Sequence, residues 1–525
     1  MNCEIKWYED RLAERLRLAR RYVCRMLDGD RDGEPFFGIG LDADGRPRRH
    51  HAVHIGIPHV TGRALDCLFQ IENLLGERAD AEAEETYIRY LFGCCDLEDY
   101  LPVYYENGMP IVEFHNLREC LEGLYWLIRL RGSGRARKVA EGMLSSLARI
   151  TDWEEGVMSR QLAIGLGKGE KYRNPHHPIP LASGRLIGPL LWYYRLTGST
   201  LALRLADCYA GGAMRVCYTE DGRFTDRGGN HVHSHTSTLS GLLEYALFTG
   251  DEGMLERLER VYRNGLAENM ASYGWIKEQL WLETDQGEVN QIGDILQFQL
   301  MMAAHREPDI WYARAEAFMR GGMLPSQVLS TDGYMRVVEN PRGDFERELH
   351  DIAIGGFGFP TPTAHLQTPH SAVNTIDITQ GAVQGICRVT RHIVTGDRDG
   401  LRWNLFFSWD TPYGTVESRL PREGRAALTL REEGNLRIRI PANIREGSFR
   451  VLTDGRETPW TLIGGYAAVG RLPAGSRVEI AFDPAVRVAQ EFICHQLYTV
   501  KTYGEQVVSV TPQKGVYPLF YDFTV

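Results

Sequence analysis

The sequence predicts a helical barrel followed by an antiparallel β-sandwich, dividing at about residues 395/396. Three observations predict it. Apolar residues recur at helical spacing through the first two-thirds of the chain, a Gly/Pro-rich stretch interrupts residues 326–375, and the apolar period switches to two after Asp399. A chain of 525 residues, 43% hydrophobic and 24% charged, has room for such a core and falls outside the disordered and fibrous classes.

Residues 8–27 place Leu12, Leu16, Ala19 and Val23 on one face of an amphipathic helix. Helical patterns follow at about 59–76, 82–97, 116–131 and 135–150. Two hairpins come next, LIGPLLWYYRLTGSTLALRLADCYAGGAM and TLSGLLEYALFTGDEGMLERLERVYRNGL. In each, an apolar helix stops at Thr-Gly and an amphipathic helix starts. Gly198 and Gly250 are the expected left-handed C-caps, Ser199 and Asp251 the N-caps, and Gly134 is expected to act alike after LIRLRG. The unequal spacing of these glycines predicts hairpins set in a ring with inserted loops, not a strict solenoid. A further pair spans about 288–303 and 307–322. The stretch around GGFGFPTPTAH reads as an active-site loop or a domain junction, and GAVQGICRVTRHIVTGD as a last helix. Beyond it NLRIRI and RVEIAF alternate as strands.

The net charge of −10, without a basic block, argues against nucleic acid or anionic lipid as a partner. No apolar run approaches the roughly 18 residues of a membrane span, and the charged N-terminus has no signal-peptide core, so a soluble cytoplasmic protein is expected. Ten cysteines include no CxxC pair, and Cys94-Cys95 is expected to be core packing.

NHVHSHTSTLSGLLEYALFTGD, EVNQIGDILQFQLMMA, IDITQGAVQGICRVTRHIV, NLRIRIPAN and TYGEQVVSVTPQKGVYPLF follow one another in the order and spacing of motifs in glycoside hydrolase family 127, the bacterial β-L-arabinofuranosidases. Over about residues 100–525 the chain resembles that family. The resemblance implies an all-α (α/α)6 barrel over 1–395 with an N-terminal helical extension, an antiparallel β-sandwich over 396–525, and a carbohydrate-sized pocket at the barrel mouth. That family holds zinc through one Glu and three Cys, one of them the nucleophile. Here Glu288 keeps its place, but Asn290 stands at one Cys and Asp377-Ile378 at the Cys-Cys pair. The family's HPEI segment is replaced by LASGRLIG, which offers Ser183 and Arg185. No cofactor and no zinc–thiolate site are therefore expected. A hard cation such as calcium on Glu288, Asn290 and Asp377 is the alternative.

Glycosyl transfer requires two carboxyls, one to protonate the leaving oxygen and one to attack or to activate water. The segment YGWIKEQLWLETDQGEVNQIGD holds Glu278, Glu283, Asp285, Glu288 and Asp294 beside Trp275 and Trp281, whose flat faces suit sugar stacking. The resemblance implies Glu278 as acid/base, Asp377 as nucleophile and His231 as a sugar contact. Glu288 is the next choice of catalytic partner, and His115, His233 and Arg185 are further substrate-binding candidates. Histidines also cluster in RRHHAVHIGIPH (with His54 and His59) and NPHHP (His176, His177). HVHSH reads equally as a polar loop lining the mouth, and Asp377 as a helix N-cap. The expected function is a glycoside hydrolase with a carbohydrate substrate, with homo-oligomerisation left open. The alternatives are a polysaccharide lyase or sugar epimerase using Tyr273, His231 and Arg185, and a non-catalytic carbohydrate-binding protein.

Overall fold

The computed structural model describes residues 5–521 except 52–55, 171–176, 282–284, 334, 336–344 and 370. His54, His176 and Glu283 lie outside the described residues. The helical part is built on α1 (Leu12–Cys24), α2 (Ile57–Leu75), α3 (Ala81–Cys94), α4 (His115–Arg131), α5 (Gly134–Ile150) and α6 (Ile187–Thr197). It continues with α7 (Thr200–Cys217), α8 (Val232–Thr249), α9 (Glu252–Arg260), α10 (Val289–His305), α11 (Pro308–Phe318) and α12 (Ile376–Thr390). Even-numbered helices are buried on nearly every side through most of their length, so they must sit inside. They pack as a closed cycle: α2 on α4, α4 on α6, α6 on α8, α8 on α10, α10 on α12, and α12 back on α2. Odd-numbered helices back them from outside, with α1 lying against both α2 and α12. The stripe Leu12, Leu16, Ala19 and Val23 is the face that α1 buries.

Short hairpin turns set this order. Gly198 and Gly250 adopt φ +76° and +71°, and the side chains of Ser199 and Asp251 cap the following helices. After α4 the left-handed residue is Gly132 (φ +60°), not Gly134. Ser133 takes the N-cap instead, accepting from Ala136 N at 3.1 Å, which makes Gly134 the first helical residue. At α12 the cap is likewise Thr375, so Asp377 stands inside the first turn.

Alternate contacts in the cycle are backbone against backbone. A Cβ on Gly62 would lie 2.1 Å from Glu119 O, one on Gly241 3.0 Å from Gly188 N, and one on Gly293 2.0 Å from Gly381 O. Gly293→Ala should therefore lower unfolding stability by ~3 kcal/mol, because α10 and α12 must separate. Gly253→Ala, exposed and unobstructed in α9, should be neutral or slightly stabilising. Thermal unfolding of the two variants checks the contrast.

The Gly/Pro stretch is a junction. Phe357 bridges Gln327 and Thr375, and Ala364–Leu366 pairs with Val516–Pro518 near the C-terminus. Beyond Asp399 the chain is sheet. A five-stranded sheet includes Gly400–Trp403 and Gly434–Arg439, and a six-stranded sheet includes Arg425–Leu430 and Arg477–Ala481. Leu436 and Ile438 of the first and Leu428, Val478 and Ile480 of the second are buried in one apolar core. Pairing is antiparallel except where Leu401–Trp403 runs parallel to Leu436–Ile438, a departure from the fully antiparallel expectation. A three-stranded sheet, Val486–Ile493, Gln496–Tyr503 and Gln506–Thr511, packs Tyr498, Val500 and Val507 on Tyr273 and Trp275.

Candidate active site

The first turns of the inner helices converge on one polar cluster. α2 brings His59 and Arg63, α4 brings His115 and Glu119, and the turn before α6 brings Arg185. α8 brings His231 and His233, α10 brings Glu288 and Asn290, and α12 brings Asp377. The start of α8 is held by an isolated bridge to residues 278–280: Val232 N donates to Glu278 O (2.9 Å) and Leu280 N to Asn230 O (2.8 Å).

Glu119 is the ionic hub. Its Oε1 accepts from Arg63 and Arg185, each at 3.0 Å, and Arg185 also reaches His115 Nδ1 at 2.6 Å. Burial pushes the Glu119 carboxyl up, but Arg185 and Arg63 outweigh it and hold it at about 2. His59 lies between two acids, 4.0 Å from Glu119 Oε1 and 3.8 Å from Asp377 Oδ2. Burial keeps His59, His115 and His233 below the usual histidine range, so all three are neutral near pH 7.

Glu288 and Asp377 are tuned apart. Burial, reinforced by the Asp377 charge, raises the Glu288 carboxyl to about 8. Its Oε1 lies 3.4 Å from His231 Nε2, and its buried Oε2, 3.6 Å from His233 Nδ1, has no hydrogen-bond partner among the described residues. Burial also pushes Asp377 up, but His59, Arg63 and the Thr375 hydroxyl together bring it down to about 2. Asp377 Oδ1 accepts from Ile378 N at 2.8 Å and from Thr375 Oγ1 at 2.5 Å, while Oδ2 faces His59. Near pH 7 one carboxyl is protonated and the other ionised.

A file of imidazoles covers the cluster. His115 stacks on His59 at 4.7 Å, and the half-buried His177 packs at 4.5 Å on His115 and 4.1 Å on His231. His233 is satisfied on both nitrogens, by Asn290 at 3.1 Å and by Asp294 at 3.4 Å.

Among the described residues two groups have donor atoms close enough for one cation: His59, His115 and Glu119, and His231, His233 and Glu288. Both are imidazole–carboxylate sets, which suit a borderline transition metal better than calcium. The cysteine-rich zinc set of the resembled family does not fit, since Asn290, Asp377 and Ile378 stand where its thiolates would be.

Glu278 borders the cluster, half-buried, with Oε2 accepting from Gln286 Nε2 at 2.8 Å. The carboxyl whose titration Asp377 raises is Glu288. Trp275 is no sugar platform: it is 2% exposed, packs against the three-stranded sheet and donates Nε1 to Pro360 O at 2.8 Å. Tyr273 is core as well, its hydroxyl donating to Pro362 O at 2.8 Å, which withdraws it as a lyase base. Trp281 is 55% exposed, one residue past Leu280 in the segment that bridges to the start of α8. His235 packs on Phe224 at 4.2 Å, and His51 faces Asp28, so neither joins the site.

Arg63 and Glu119 carry no sequence motif. The legible signal is charge at Arg63, Arg118, Glu119 and Glu122 on helices that are buried nearly all round. Such charges have no exposed face to occupy and must pair inside.

No family model matches the chain, and no curated protein matches it. Its fold is that of GH127 enzymes. A GH127 beta-L-arabinofuranosidase from Geobacillus stearothermophilus T6 aligns over 94% of this chain and 80% of its own, at 15% identity and TM-score 0.56. A second GH127 beta-arabinofuranosidase aligns over 97% and 83%, at 14% identity and TM-score 0.61. At these identities the likeness concerns the fold alone.

Proposed function

We propose that this GH127-like chain is a glycoside hydrolase, an (α/α)6 barrel to about residue 395 followed by a β-sandwich, with Glu288 as general acid/base and Asp377 as nucleophile. The observation that carries the reading is the opposite tuning of two carboxyls in one buried cluster, about 8 for Glu288 and about 2 for Asp377. Glu288 gives its proton to the glycosidic oxygen as that C–O bond breaks, and Asp377 Oδ2 attacks the anomeric carbon. The ionised Glu288 then takes a proton from the water that displaces Asp377, which restores both groups.

The remaining cluster residues support that pair. Arg63, pinned to Glu119 with Arg185, keeps a positive field beside Asp377, and His59 Nε2 stands 3.8 Å from the attacking oxygen. His231 orients Glu288, and His115 and His177 meet the sugar at the entrance. Trp281 is the stacking surface outside it. A carbohydrate-binding protein without activity has no need of a desolvated, protonated carboxyl that costs it stability.

A panel of 4-nitrophenyl glycosides, α- and β-L-arabinofuranosides included, tests the reading. Saturable release of nitrophenol from at least one is expected. Release from none, together with unsaturated products from a uronate polymer, would point to a lyase instead.

A further inference from the structure

The barrel has a second mouth, and it is not empty of chemistry. The catalytic cluster occupies the N-terminal turns of the inner helices. At their opposite ends lies a cavity of about 620 Å³, within the usual range for small-molecule sites. All six inner helices contribute to its wall. On α12 the two ends are marked by Asp377 and Arg388, eleven residues or about 16 Å apart along the helix.

We propose that this cavity is a second saccharide site, one that takes a sugar bearing a carboxylate. Its aromatic wall is Tyr125, Trp192 and Phe248, with the first two rings 6.0 Å apart and Phe248 39% exposed at the rim. Such faces accept the C–H side of a sugar ring. Its cations are Arg129, Arg388 and Arg391. Arg388 lies 5.5 Å over the Trp192 ring, and its Nη1 is sealed from solvent with no partner. Arg129 donates to the Tyr125 hydroxyl at 2.6 Å and lies 5.3 Å over the Trp126 ring.

The acids of the cavity are already used. Glu244 pairs with Arg195 and accepts from Trp192 Nε1 at 2.8 Å. Asp66 accepts from Trp126, Gln70 and Gln380, and burial pushes its carboxyl up. Among the described residues none of Arg129, Arg388 and Arg391 is in an ion pair with a carboxylate, and with Arg195 they set four arginines against Asp66 and Glu244 in the cavity wall.

A plainer account exists for part of this. Carbonyl ends of helices favour cations within their last turn. That accounts for arginines at this end, but it does not explain an aromatic wall lining a cavity whose arginines outnumber its acids. Burial lowers the Arg388 guanidinium to about 10, against the opposing pull of Glu244, Asp294 and Asp66.

Titration of the full chain with D-glucuronate, with D-glucose as neutral control, tests the proposal by calorimetry and by the fluorescence of the cavity tryptophans. Saturable glucuronate binding is expected, at least ~10-fold tighter than glucose. Arg388→Met should weaken it ~10-fold and Phe248→Ala ~3-fold, with circular dichroism unchanged. Glu288→Gln should leave it intact. The proposal is overturned by absence of saturable binding, by equal affinity for glucose and glucuronate, by an unaltered Arg388→Met, or by loss of binding in Glu288→Gln, which would assign the sugar to the catalytic end.

Discussion

Glu288→Gln is expected to lower turnover of glycosides with poor leaving groups by at least ~10²-fold while raising the protein's stability at pH 7.5. The two effects have one origin. In the folded chain the Glu288 proton is held to about pH 8, whereas an unfolded glutamate releases it near 4.5. Between those values the folded state binds more protons than the unfolded one, so wild-type stability falls as pH rises through that window. The loss reaches roughly 2–4 kcal/mol by pH 7.5. Glutamine keeps the shape and has no proton to lose, so the variant should unfold a few degrees higher at pH 7.5 and match wild type at pH 4.5. A residue that merely fills space would not couple lost activity to gained stability. Thermal scans at the two pH values, beside steady-state kinetics, read both.

Asp377→Asn should be the more damaging change for turnover, by at least ~10³-fold, and should shift stability the other way. Asp377 titrates at about 2 in the fold against 3.8 unfolded. Its contribution is fully present above the unfolded value and is lost as pH falls through about 2. Removing the charge should cost ~2 kcal/mol at neutral pH, leaving His59 beside an uncharged amide and Arg63 without the carboxylate's charge nearby. It should also move the residual basic limb of the rate profile below 8, because the Asp377 charge is one reason Glu288 holds its proton. Residual rate against pH, with urea unfolding at pH 7, checks both statements.

Much of this was legible in the sequence, for physical reasons. Hairpins announced themselves through Thr-Gly stops followed by Ser199 and Asp251, since a left-handed cap and a side-chain acceptor are local requirements. The period-two runs at Leu436 and Val478 are buried strands for the same local reason. The site was only half legible. His231, Arg185, Glu288 and Asp377 fall at helix starts, where their motifs sit. Arg63 and Glu119 meet across α2 and α4, a pairing that no spacing along one helix reveals. Trp275 misled because its partners, Tyr498 and Val500, come from a sheet more than two hundred residues later. Glu278 borders the cluster through its backbone, where Val232 N donates to its carbonyl, while its carboxyl accepts from Gln286.

Leaving-group dependence in Glu288→Gln tests the central claim most directly. A general acid matters in proportion to the basicity of the departing oxygen, so its removal should hardly slow a 2,4-dinitrophenyl glycoside and should slow the phenyl glycoside of the same sugar by ~10² or more. Over the same pair, wild type should show a basic limb near pH 8 with the phenyl substrate, and the variant should show none. An equal slowing of both substrates, or a basic limb that survives in the variant, would contradict the assignment of Glu288 as the acid.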